Sequence, residues 1–118
     1  DGFTSIIDLT FGPDGTLGNR RLWAPTWPRV PDGITLDADG NIWIANPLAP
    51  ECALIAPGGA VLEVIDTGQP CYACMLGGDE GRTLFMLTAQ TSVAHEAAAA
   101  PHGMLLAAEV DSRRAGRP

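Results

Sequence analysis

The sequence has no lysine, a single tyrosine and only two histidines in 118 residues. All seven basic residues are arginine, and Arg113, Arg114 and Arg117 stand together near the C-terminus. Against 14 acidic residues, the formal net charge is −7. Without a basic stripe there is nothing to neutralise phosphates, so nucleic acid is excluded as the expected partner. An anionic membrane surface is excluded on the same ground. No apolar run approaches the ~18 residues that a spanning helix needs. Cysteine is scarce and odd in number: Cys52, Cys71 and Cys74 cannot all pair within one chain. That count fits a reducing, cytoplasmic compartment better than a disulfide scaffold, with one bridge plus a free thiol as the alternative. The opening Asp1-Gly2-Phe3 has neither Met nor a charged-then-apolar leader, and reads as the start of a fragment.

What is present is apolar and heavily punctuated. Hydrophobic residues make up 46% of the chain, enough for a packed core, while 14 Gly and 10 Pro disfavour long helices. The length sets one domain as the ceiling. Short runs rich in Ile, Val, Leu, Trp and Phe predict strands near Phe3–Phe11, Arg20–Ala24, Gly33–Asp37, Ile42–Ala45, Ala53–Ala56, Val61–Ile65, Tyr72–Leu76, Leu84–Thr88 and Met104–Val110. Between them lie turn signals such as Pro13-Asp14-Gly15, Asp39-Gly40-Asn41, Pro57-Gly58-Gly59 and Gly77-Gly78-Asp79-Glu80-Gly81. Ser92–Ala100, with five alanines, is expected to be a surface loop with one helical turn. The tail 112–118 is polar and expected to fray, leaving 1–111 as the folded unit.

The turns repeat. Asp39-Gly40-Asn41-Ile42-Trp43-Ile44 resembles Glu80-Gly81-Arg82-Thr83-Leu84-Phe85, and Pro13-Asp14-Gly15-Thr16-Leu17 resembles Pro57-Gly58-Gly59-Ala60-Val61-Leu62. Two kinds of hairpin turn thus recur at nearly one spacing, in the low forties, and interleave. A period of that size holding about four strands marks a β-propeller blade. A two-layer sandwich has no reason to repeat its turns so. The phase places the start halfway through a blade, a full blade over about Asp32–Thr67, and another from Pro70. The fold class expected is therefore all-β, a partial propeller of two and a half four-stranded blades with open sheet edges.

The run Pro31-Asp32-Gly33-Ile34-Thr35-Leu36-Asp37-Ala38-Asp39-Gly40-Asn41-Ile42-Trp43-Ile44-Ala45 resembles the senescence-marker-protein/gluconolactonase/luciferin-regenerating-enzyme family. Its flanks agree, with Asp14-Gly15-Thr16-Leu17-Gly18-Asn19-Arg20-Arg21 before it, Cys74-Met75-Leu76-Gly77-Gly78 and Arg82-Thr83-Leu84-Phe85 after it, and the closing Met104–Pro118. The resemblance implies a six-bladed propeller of which this chain is the last two-fifths. It implies one divalent cation at the channel mouth, calcium first, with zinc or manganese as alternatives, and hydrolysis of sugar lactones. Of the family's metal ligands (an early Glu, a mid-chain Asn and the Asp of Pro-Asp-Gly) only the third has a match, Asp32.

The residues can be weighed on their own chemistry. Asp32, entering the innermost strand between Pro31 and Gly33, suits a hard cation, while the plainer reading is a turn carboxylate capping backbone amides. Asp37-Ala38-Asp39-Gly40-Asn41 lacks the Gly and Glu that an EF-hand needs at its sixth and twelfth positions, so it reads as a hairpin turn. Cys71-Tyr72-Ala73-Cys74 lacks two further ligands at zinc spacing and reads as an inner strand with small buried thiols. Cys71 and Tyr72 open that strand and are the candidates for the substrate pocket. His95 and His102 read as solvated loop residues, and Trp23, Trp27 and Trp43 as packing between blades. No Ser-His-Asp arrangement, nucleophile elbow or phosphate loop occurs.

The expected function is metal-dependent hydrolysis of a small lactone, with Asp32 anchoring a cation that polarises the ester carbonyl and acidifies a bound water. No residue is assigned as general base. The alternative is a non-catalytic propeller piece that binds or self-assembles. The expected partners are the lactone and either further copies of the chain or the missing blades on another chain.

Overall fold

The computed structural model describes residues 4–116. The expected starts and ends at Phe3, Arg117 and Pro118 lie outside them. Nine strands and one short helix form: β1 (Ser5–Phe11), β2 (Leu17–Pro25), β3 (Ile34–Leu36), β4 (Ile42–Asn46), β5 (Glu51–Ile55), β6 (Val61–Asp66), β7 (Cys71–Gly77), β8 (Thr83–Thr88), α1 (Ala94–Ala99) and β9 (Met104–Glu109). They make three antiparallel meanders, β1-β2, β3-β4-β5-β6 and β7-β8-β9. The chain is thus all-β, a partial propeller with one complete blade between two incomplete ones. No helix among the described residues is long and apolar enough to cross a membrane.

The sheets stack face to face because β4 and β5 are apolar on both sides. Alternate residues of a strand point to opposite faces. Ile42 and Ile44 of β4, with Ala53 and Ile55 of β5, meet Ile6 and Ala24 of the first sheet. Trp43, Ala45 and Cys52 point the other way and meet Cys71, Cys74, Leu76, Leu84 and Met86 of the third. Every residue of β4 is buried. The pattern of buried strands with few polar breaks is that of a sheet covered on both faces.

The repeat holds at the level of hydrogen bonds. Gly12 N–H donates to Thr16 O at 2.7 Å and Gly15 N–H to Gly12 O at 2.9 Å; Ala56 and Gly59 repeat this with Ala60 and Ala56, at 2.8 and 2.9 Å. In the other turn type, Gly40 N–H donates to Asp37 O and Gly81 N–H to Gly78 O, at 3.2 and 3.1 Å. Asp37 Oδ1 also accepts the amides of Asp39 and Asn41, both at 2.9 Å, so this acidic loop is a capped turn, as read from the sequence.

The tail departs from expectation. Instead of fraying, residues 112–116 return beneath the second and third sheets. Ala38 N–H donates to Arg113 O (2.7 Å), Arg114 N–H to Gly81 O (2.9 Å) and Ala115 N–H to Leu36 O (3.1 Å). Asp37 and Arg114 form an antiparallel bridge, and Ser112 Oγ donates to Asp39. A polar composition hid this because the bonds are made by backbone, which every sequence carries.

Two outcomes follow for stability. Trp43→Ala is expected to cost about 3–5 kcal/mol in denaturant unfolding, because a wholly buried indole leaves a cavity between two sheets. Deleting residues 112–118 is expected to lower stability by roughly 1–3 kcal/mol through the lost tail bonds, whereas a frayed tail would leave the midpoint unchanged.

Candidate functional site

Asp32 stands just ahead of β3, the innermost strand of the complete blade, with its side chain open to solvent. The backbone beneath it is fixed on both sides. Asp32 N–H donates to Ala45 O at 2.9 Å, Ala45 N–H to Gly33 O at 2.8 Å, and Gly33 N–H to Tyr72 O at 3.0 Å, which ties the heads of two innermost strands together. Gly33 is required by this closeness. A Cβ there would lie 2.7 Å from Ala73 Cα and 3.1 Å from Tyr72 O.

The segment leading to Asp32 is held as firmly. Thr26 Oγ1 donates to Arg29 O at 3.0 Å, and Arg29 pairs with Glu51 at 2.5 Å in a largely buried ion pair. Buried Asn46 knits the two loops: its Oδ1 accepts Val30 N–H (3.4 Å) and Leu48 N–H (3.2 Å), and its Nδ2 donates to Glu51 (3.2 Å). Asn46, Arg29 and Glu51 escaped the sequence reading. They bear no motif, and only the fold brings positions 22 residues apart into contact. The Trp27–Pro28 peptide in this segment is cis.

Cys71 and Tyr72 divide. Tyr72 is half-buried beside Gly33. Cys71, expected at the pocket, has no exposed surface and belongs to the core between the second and third sheets. The reason is that β7 carries an extra residue opposite β8 between Cys71 and Ala73, which sets aside simple alternation at the strand's start. All three cysteines are free and buried together. Cys71 Sγ lies 3.6 Å from Ala73 O, and Cys74 Sγ lies 3.5 Å from Gly33 O and 3.6 Å from Trp43 O. Hydrogen bonding to Cys71 and Cys74, with burial, pushes the Cys52 thiol far up, so it stays protonated. The bond with Cys52 draws Cys71 down, against burial and the nearby Asp32 charge. The buried-thiol reading of the CxxC stands.

The remaining candidates are accounted for by position. His95 and His102 are exposed in and beyond α1, where His102 O accepts Gln69 Nε2 at 2.7 Å. Trp43 packs between sheets and Trp23 packs against the first inter-sheet core, but Trp27 is 75% exposed and joins neither. A concavity of about 960 Å³ lies at the opposite end of the strands from Asp32. It is lined by both signs of charge, including Asp39, Asp79, Glu80, Arg82 and Arg113, between the turns and the returning tail.

Gly33→Ala is expected to destabilise the chain by roughly 1–3 kcal/mol, since backbone of β7 would have to move away. Loss of order at residues 70–74 in amide exchange is the accompanying sign, and unaltered protection there would refute the account.

Comparison with known proteins fits this geometry. The family model described as the SMP-30/Gluconolactonase/LRE-like region matches residues 4–90. No curated protein matches the chain. Among solved structures, a luciferin-regenerating enzyme superposes with a TM-score of 0.75 at 19% identity, over 96% of this chain and 40% of its own. A calcium-binding protein, regucalcin, from Agrobacterium tumefaciens superposes with a TM-score of 0.69 at 17% identity, over 98% of this chain and 41% of its own. The chain therefore spans about two-fifths of the length of these structures. With most of its described length matched by the family model, the chain belongs to the SMP-30/gluconolactonase/LRE-like family.

Proposed function

We propose that the chain forms part of a metal-dependent hydrolase of small lactones, sugar lactones in first place, to which Asp32 contributes one metal ligand. The observation that carries this reading is the exposed Asp32 carboxylate at the head of an innermost strand, on backbone held by both neighbouring strands. Membership of a family that includes gluconolactonases supports the reaction class. The calcium-binding regucalcin fold supports a divalent cation, calcium before zinc or manganese. Three free, buried thiols suit a cytoplasmic location.

Among the described residues, acidic and imidazole or thiol side chains alone do not complete a cation site. Calcium takes six to eight oxygen ligands. Asp32 is one, and among the described residues no group of three or more His, Cys, Asp or Glu side chains is placed to hold a metal ion. The remaining ligands would be backbone or amide carbonyls, water, or groups of another chain. That single donor also favours the second reading, a non-catalytic propeller module.

The test is hydrolysis of aldonolactones by the chain with millimolar calcium present. The expected result is calcium-dependent turnover that falls at least about 100-fold in Asp32→Ala, with melting temperature unchanged because the side chain is exposed. Equal turnover in the variant overturns the proposal.

A further inference from the structure

One carboxylate oxygen is buried and unanswered. Asp37 is 1% exposed. Its Oδ1 accepts the amides of Asp39 and Asn41 within its own turn, while Oδ2 has no hydrogen-bond partner among the described residues. A buried ionised oxygen is costly unless a donor or a counter-charge meets it. Asp37 follows the end of β3, two residues beyond Thr35. Thr35 Oγ1 donates to Met75 Sδ of β7 at 3.7 Å, so alternation directs both side chains toward the third sheet.

Asp37 lines a cavity of about 290 Å³ between the second and third sheets, beside the returning tail. Three more carboxylates line it: Asp39, Glu63 and Asp111. Glu63 stands opposite Leu54, and Leu54 opposite Trp43, so this row puts Glu63 on the face that Trp43 turns toward the third sheet. Asp39 accepts the Ser112 hydroxyl. No basic side chain lines the cavity; Arg82, Arg113 and Arg114 line the neighbouring 960 Å³ concavity instead. Among the described residues, none of the four carboxylates is in an ion pair. The walls are sheets already stacked on each other within this chain.

We propose that this cavity binds a hydrated magnesium ion, at the opposite end of β3 from Asp32. Four like charges around one cavity call for a cation; water supplies a hydrogen bond to Oδ2 but no counter-charge. The arrangement also selects the kind of cation. Among the described residues, no three acidic, imidazole or thiol side chains are placed to hold a bare ion. Calcium takes six to eight oxygen ligands, whereas magnesium keeps several waters and needs only one or two carboxylates. The volume equals roughly nine waters at ~30 Å³ each, enough for an octahedral shell of six. Asp37 Oδ2 supplies the fixed carboxylate, and Asp39, Glu63 and Asp111 accept hydrogen bonds from the waters of the ion. The ion thereby ties the turn after β3, strand β6 and the returning tail together at one point.

The experiment titrates the full chain with magnesium chloride, read by calorimetry and by amide NMR shifts. Every sample carries Asp32→Ala, an exposed position, so the outcome is separable from that of the functional proposal. One magnesium per chain is expected, with shifts confined to residues 37–41, 62–64 and 110–112 and a melting temperature that rises with magnesium. Adding Asp37→Asn keeps the Oδ1 acceptor of the turn but removes the charge, and is expected to weaken binding at least about tenfold. Adding Glu63→Gln, also exposed, is expected to weaken binding while leaving the magnesium-free melting temperature unchanged. Should circular dichroism show that Asp37→Asn does not fold, Glu63→Gln decides. Three results overturn the proposal: no magnesium-dependent shift at these amides, which leaves water or a proton on Oδ2; unchanged affinity in the folded variants; and calcium bound more tightly than magnesium, which contradicts an ion held through its waters.

Discussion

The structure depends on one strand that must be covered twice. Ile42, Trp43, Ile44 and Ala45 present apolar groups to both faces of β4, and water is excluded from both. Burial of apolar area is the dominant favourable term in folding. A strand of this kind has no stable position at a surface, so the middle sheet lies between two others. The first sheet supplies Ile6, Ala24 and half-buried Trp23 to one side; the third supplies Cys74, Leu76, Leu84 and Met86 to the other. The same logic carries outward. Each outer sheet is itself apolar on its far face, so the stack is a segment of a repeating series.

That stacking also builds the candidate site. Asp32 has no interesting environment of its own; it is exposed and its side chain is not gripped. Its placement comes from the two innermost strands meeting through Gly33 and Tyr72. The approach is braced from behind by buried Asn46 and partly buried Arg29 and Glu51, polar groups that all have partners and are therefore cheap to keep. The result is a solvent-facing carboxylate on fixed backbone at the head of an innermost strand.

All nine strand positions were legible in the sequence because a strand needs only a local apolar run between turn residues. The blade period was legible for a related reason: Gly15 and Gly59, and Gly40 and Gly81, occupy turns with matching hydrogen bonds, so the chemistry repeats where the geometry repeats. The family resemblance placed Asp32, which the chain's own pattern left balanced against a turn carboxylate. Other features were not legible. Cys71 turned inward because of an extra residue in β7, a pairing irregularity with no sequence mark. The exposure of Trp27 and the Arg29–Glu51 pair depend on how a loop crosses between sheets.

The sequence by itself determined the all-β class, the turns, the repeat and the phase at which the chain enters it, because these rest on neighbours along the chain. It also determined the acidic balance and the want of basic groups. Tertiary structure alone decided that the polar tail is pinned by backbone bonds to Leu36, Ala38 and Gly81, and that three distant thiols share one core. It alone decided which apolar side chains are spent between sheets and which, such as Phe11 and Leu87, remain uncovered. Alternation along a strand says that two faces exist; only the stacking of one sheet on another says which face is already filled.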